Sequence, residues 1–209
     1  MKSAHFTMCK KLQFILAGTL SIPGISPRVD AHHHRVWLGA MELAMAMNLP
    51  LDEAMIFVSS AICHDIGKLI VDEKVLDKPG TLGEEEYIIV QNHPVWGADA
   101  LSCMLPKHQA SEEVCRIVLE HHERWDGKGY PAGLSESNIH PSARKLGVVD
   151  AYAAMVAPIE ERPYNDPPKT HDQAISTLLE CSGTQFDPKV VEVFAFLPPV
   201  TRISPLYTH

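Results

Sequence analysis

The chain has no C-x-x-C pair, no block of like charge, no low-complexity tract and no sustained strand-like alternation. Each absence removes a class of protein. Five widely spaced cysteines (Cys9, Cys63, Cys103, Cys115 and Cys181) give neither a disulfide framework nor a zinc ribbon, and a reducing cytoplasm is the expected compartment. A formal net charge of -8 denies the chain the basic face that a DNA or RNA duplex or an anionic membrane would need. The apolar segment from Leu12 to Ile25 is too short for a membrane span and is interrupted by Gly18 and Pro23, so it reads as a packing helix. What is abundant is histidine: twelve in 209 residues, of a side chain that is the commonest metal ligand.

Length and a composition of 45% hydrophobic and 21% charged residues fit one soluble domain. Apolar periodicity predicts helices almost throughout, so the class is all-α. The first helix is expected from Lys10 to Leu20, and a second, capped by Asp30, runs to Asn48 with Val36, Gly39, Ala40, Leu43 and Met47 as its core stripe. Four residues before Val36 stands His32, on the buried face, whereas His33 and His34 fall further round toward solvent or an outer shell. A third helix, capped by Asp52 and closed by Gly67, continues its stripe to Asp65, with His64 extending the Phe57 and Ala61 edge.

Thr81 and Glu84 have capping-box spacing for a helix that ends near Asn92, and His93 precedes Pro94 at the next helix start. Ser111 opens a helix whose stripe Val114, Val118, His122 is flanked by His121 and ends near Glu123; a tight loop at Asp126-Gly127 and Gly129 follows. Between Ser142 and Ala157 the stripe of Leu146, Val149 and Ala153 includes Asp150. Helices from Asp172 to Ser182 and from Pro188 to Leu197, the latter capped by Asp187, complete the reading.

His32, His64, Asp65, His93, His121, His122 and Asp150 are thus seven candidate ligands, most of them on otherwise apolar faces. A carboxylate buried without a partner is expensive, and the convergence of acids with imidazoles points to metal. Seven ligands exceed one tetrahedral shell and fit two cations sharing a carboxylate, which acidify a shared water and stabilise both oxygens of an in-line displacement at phosphorus. Lys68, in the turn after Asp65, is placed to hold a phosphate oxygen or to protonate the leaving group.

HHHRV from His32, HDIGK from His64, LDKPGTLGEEE from Leu76, HPVWGA from His93, HHERWDGKGYP from His121, GVVDAYAAM from Gly147 and RPY from Arg162 follow one another in order. Across residues 30–196 this resembles the HD-GYP family, a branch of the HD phosphohydrolases that hydrolyses cyclic di-GMP. The resemblance implies an HD-GYP domain over 30–197, an N-terminal helix and turn over 1–29 and a tail over 198–209. It further implies one cation on His32, His64, Asp65 and Asp150, and a second on His93, His121 and His122 with Asp65 as the bridge. Iron or manganese leads as the metal, with zinc, nickel or magnesium as further candidates. Products would be linear pGpG and, in some members, GMP. Lys68 and Asp65 would be catalytic, and Arg144, Lys145, Arg162 and Tyr130 would meet the substrate. A GGDEF-type cyclase is a candidate partner for the Gly127 to Pro131 loop.

The chain departs from the family at two positions. Arg28 stands where members with a third metal carry Glu, so two metals are expected; Asn165 stands where a basic residue usually follows RPY. Hydrolysis of another cyclic dinucleotide or nucleotide, and a nucleotide-responsive interaction module with little turnover, are the competing readings.

Overall fold

A computed structural model describes residues 27–161 and 166–199. The expected helix at Lys10 to Leu20, the side chain of Arg28, residues Arg162 and Asn165 and the end of the tail lie outside these. Among the described residues the fold is all-α, with one isolated bridge between Ser182 and Phe186. The helices are α1 (Pro27–Ala46), α2 (Leu51–Cys63), α3 (Glu73–Leu76), α4 (Glu84–Gln91), α5 (His93–Met104), α6 (Gln109–Glu120), α7 (Pro141–Val156), α8 (His171–Glu180) and α9 (Pro188–Phe194). A 3-10 turn, Ile66–Ile70, follows α2. No helix among the described residues is long and apolar enough to cross a membrane.

The stripes assemble one large core. Val36, Ala40 and Leu43 of α1 meet Phe57 and Ala61 of α2, Ile117 of α6, Leu146, Val149 and Ala153 of α7, Leu178 of α8 and Phe194 of α9. Each fully buried Val, Leu, Ile or Phe here contributes roughly 1.5–3 kcal/mol relative to exposure. A smaller cluster of Cys63, Ile66, Ala100, Leu101, Val114 and Val118 ties α5 and α6 to the end of α2 and the 3-10 turn.

Several expected boundaries shift, each for a local reason. Pro27 suits a first helical turn, so α1 opens ahead of Asp30, which lies in that turn rather than capping it. Likewise α2 begins at Leu51 after Pro50, leaving Asp52 and Glu53 in the first turn where acids favour the helix dipole. It ends at Cys63, because His64 and Asp65 turn into the 3-10 segment that contains Gly67. At α4 the cap is Gly83, whose N–H donates to Glu86 at 2.6 Å, in place of the Thr81 box. His108 Nδ1 accepts from Ala110 N at 3.2 Å and opens α6 ahead of Ser111; that helix stops at Glu120. The Asp187 cap of α9 stands as expected, accepting from Lys189 N at 3.0 Å.

Candidate metal centre

Five separate segments deliver the candidate ligands: α1 gives His32, the turn after α2 gives His64 and Asp65, the start of α5 gives His93, the residues just past α6 give His121 and His122, and α7 gives Asp150. Asp65 stands in the middle. Its Oδ1 lies 3.0 Å from His93 Nε2, and its Oδ2 lies 3.4 Å from His64 Nε2, 3.9 Å from His32 Nε2 and 2.6 Å from the Lys68 ammonium. Asp150 Oδ1 sits 2.9 Å from His32 Nε2 and 3.7 Å from His64 Nε2. Ligand atoms of Asp65, His93, His121 and His122 all fall within 4.8 Å of one another, as do those of His32, His64 and Asp65. Such sets are near the reach of ions whose bonds run about 2.0–2.2 Å. Gly67 makes the juxtaposition sterically feasible: a Cβ there would stand 1.9 Å from His93 O, so any larger residue would push the turn carrying Asp65 away from α5.

Backbone carbonyls three residues upstream set the imidazole tautomers. Nδ1 of His64, His93 and His121 lies 2.8, 2.6 and 2.6 Å from the carbonyls of Ala61, Val90 and Val118. A carbonyl only accepts, so each Nδ1 carries a proton, and the Nε2 of a neutral ring is left with a lone pair. His93 Nε2 and His121 Nε2 face one another at 3.3 Å. Two lone pairs at that distance repel unless a cation or proton lies between them. His64 Nε2 and Asp65 Oδ1 are buried without a hydrogen-bond partner, although His93 Nε2 is close to the latter. Leaving such atoms unpaired costs about 1–3 kcal/mol each. The donor set therefore fits divalent cations.

Electrostatics divides the histidines. Burial, reinforced by neighbouring imidazoles, holds His121 well below its ordinary pKa, and burial takes His122 down to about 3, so both are neutral. Burial alone would also lower His64, but Asp65 and Asp150 together outweigh it and raise the pKa to about 10. Burial would raise Asp65, yet Lys68 and His64 hold it well below the carboxylate range; Asp150 is held down against burial by His32 and His64. The centre is thus charged before a cation arrives, and metal binding must displace a proton from His64.

Other expected site residues have mixed fates. Tyr130 stacks on His122 with centroids 4.8 Å apart, and its phenol is pushed up by burial and by Asp65 and Asp150, which keeps it a proton donor. Arg144 donates to Asp187 at 2.5 Å and lies 5.5 Å above Trp125; with His121, His122 and Asp150 these line a cavity of about 200 Å³. Lys145 does not line this cavity. Five residues from Asp150, it projects about 140° away around the helix, and its ammonium stands 3.5 Å from Glu53.

Of the two places expected for His33, solvent or an outer shell, it takes the second: it is 5% exposed, with Nε2 3.8 Å from Asp65 Oδ2, and burial lowers its pKa to about 4. His34 lies edge-on to Trp37 at 5.4 Å. Glu123 is a loop-closing residue that periodicity missed. Its carboxylate accepts from Ala132 N at 2.7 Å and Leu134 N at 2.9 Å, closing the glycine loop. An acid between the paired histidines and a glycine-rich turn was the available signal.

Comparison with known proteins identifies the family. The HD domain family model matches residues 25–190. A cyclic di-GMP phosphodiesterase of Vibrio cholerae is 40% identical over 139 residues, 65% of this chain and 27% of its own length. The 3'3'-cGAMP-specific phosphodiesterase 2 of the same organism is 33% identical over 184 residues, 88% of this chain and 34% of its own. This chain therefore spans about a third or less of these relatives. Among solved structures, an HDG"Y"P protein from Bdellovibrio bacteriovorus superposes with a TM-score of 0.62 at 18% identity, over 90% of this chain and 60% of that one, which shows a shared fold. The chain belongs to the HD domain family, and its HHERWDGKGYP segment places it in the HD-GYP branch.

Proposed function

We propose that this chain is a metal-dependent phosphodiesterase that opens cyclic di-GMP to linear pGpG. The observation that carries the reading is the convergence of imidazole nitrogens on both oxygens of one buried carboxylate, Asp65. His32, His64, Asp65 and Asp150 would hold one divalent cation, and Asp65, His93, His121 and His122 a second; iron and manganese suit this mixed nitrogen and oxygen set. When bound, such a pair supplies Lewis acidity toward water and phosphate oxygens.

The protein's own groups do the rest. Hydrolysis adds one water across one P–O3′ bond, giving a 5′-phosphate and a 3′-hydroxyl. The Lys68 ammonium, 2.6 Å from Asp65 Oδ2, is placed beside the centre to hold a phosphate oxygen or to protonate the departing O3′. Tyr130, kept protonated, offers a second donor and a ring face at the same edge. Arg144 and Trp125 wall the adjoining cavity. The exposed tip of the loop, Lys128 and residues 131–133, is where a GGDEF-type cyclase would dock. Cyclic GMP-AMP is a second substrate reading, favoured by the name of one relative and by Asn165.

The test is product analysis with chain reconstituted anaerobically with Fe²⁺ or Mn²⁺ and supplied with cyclic di-GMP or 3'3'-cGAMP. The expected result is pGpG from cyclic di-GMP, with Lys68→Ala lowering kcat by ~10²–10³-fold while keeping its metal. Faster cleavage of 3'3'-cGAMP would transfer the reading to that substrate. No cleavage of either by metal-loaded chain would end it.

A further inference from the structure

We infer that His33 is a positioning residue for Asp65, donating its Nε2–H to Asp65 Oδ2 and holding the carboxylate where its two oxygens face the two sets of imidazoles. The inference rests on the metal-centre reading above. His33 is buried in α1 directly after His32, and the two rings diverge by about 100° around the helix: His32 Nε2 reaches Asp150 at 2.9 Å, whereas His33 Nε2 points to Asp65 Oδ2 at 3.8 Å. No hydrogen bond reaches that nitrogen, and the ring stands edge-on to His64 with centroids 5.2 Å apart. A buried donor aimed at a buried acceptor, and about 1 Å short of it, is incomplete in this arrangement.

His32 and His64 Nε2 each stand near both Asp65 and Asp150, whereas His33 Nε2 approaches Asp65 alone, which sets it apart from the nitrogens that the two carboxylates share. Lys68 currently donates to the same oxygen at 2.6 Å. An imidazole can donate from Nε2 in either charge state, so His33 is able to hold Asp65 with or without a cation on the carboxylate. Ligating carboxylates are usually held in this way by an outer hydrogen bond.

The test compares His33→Gln, which keeps an N–H donor of similar reach, with His33→Leu, which keeps bulk and loses the donor. Metal-free protein is titrated with Mn²⁺ and Co²⁺, reading bound metal after dialysis and the Co²⁺ absorption spectrum, with circular dichroism of the metal-free variants as the check on folding. His33→Leu should lose roughly 10–100-fold in metal affinity and change the Co²⁺ spectrum, while His33→Gln stays close to wild type. A folded His33→Leu that binds both cations like wild type would overturn the inference, as would a His33→Gln that loses as much as His33→Leu. Should His33→Leu not fold, His33→Asn, one bond too short, replaces it: weaker binding than His33→Gln supports the role and equal binding overturns it. Wild type that takes up no cation would instead refute the metal-centre reading itself.

Discussion

The metal centre and the loop that follows it are built from adjacent residues yet held in opposite ways. In the centre, backbone carbonyls grip the outer nitrogens of His64, His93 and His121 and leave their inner nitrogens and Asp65 Oδ1 facing one another. In the loop, both oxygens of Glu123 are used, and Asp126 takes two bonds from Arg124 at 3.0 and 2.8 Å and one from Lys128 N. Trp125 N and Asp126 N donate to Gln185 and Thr184 carbonyls, and Tyr130 N to His122 O. Gly129 fits so tightly that a Cβ would lie 2.4 Å from Arg124 N. One region is left with unsatisfied valence and the other is nearly saturated. The centre keeps donor atoms that could take an added ion, whereas the loop is finished by the chain alone and can serve as a fixed wall beside it.

The strongest way to break this contrast is Glu123→Gln. A carboxamide has one acceptor oxygen for two loop N–H groups, and hydrogen bonds to a charged group contribute about 1.5–3 kcal/mol each. Denaturant unfolding should show a loss of roughly 3 kcal/mol, with metal affinity unchanged. Equal damage to metal binding would mean that loop and centre are one unit.

A smaller effect separates the regions by pH. The hydrogen bond from Arg124 draws Asp126 down to about 2, so its contribution to loop stability is present above the unfolded carboxylate value and is lost as pH falls through about 2. In metal-free protein His64 is raised to about 10, so its contribution is full below the unfolded value near 6.5 and is lost as pH rises through about 10. Asp65 and Asp150, both held low, add an acid limb to the centre as well, which makes the alkaline limb the distinguishing one. Amide exchange should show Val118 to His122 loosening in alkali while the N–H groups of Ala132 and Leu134 stay protected. Parallel loosening of both would erase the distinction.

The convergence of the candidate ligands was legible where they occupy positions that helical periodicity reserves for apolar side chains, as Asp150 does beside Leu146 and Val149. Among the caps, Asp187 before Pro188 was legible too. Properties set by tertiary partners were not. His33 is buried because α1 is covered by α2 and α7 and, through the Arg35 ion pair to Glu161, on a third side, so the buried arc is wider than one stripe. Lys145 is claimed by Glu53, distant in sequence. The early end of α2 reflects the 3-10 turn that Gly67 lets settle on α5, a contact that no spacing within α2 encodes.

Metal stoichiometry tests the central claim most directly. Anaerobically reconstituted wild type should hold two cations per chain, with proton release near neutral pH as His64 gives up its proton, and Asp65→Asn should lose both ions because each set is built on one oxygen of Asp65. Wild type that binds fewer than two cations, or Asp65→Asn that keeps both, would contradict a centre organised around that carboxylate.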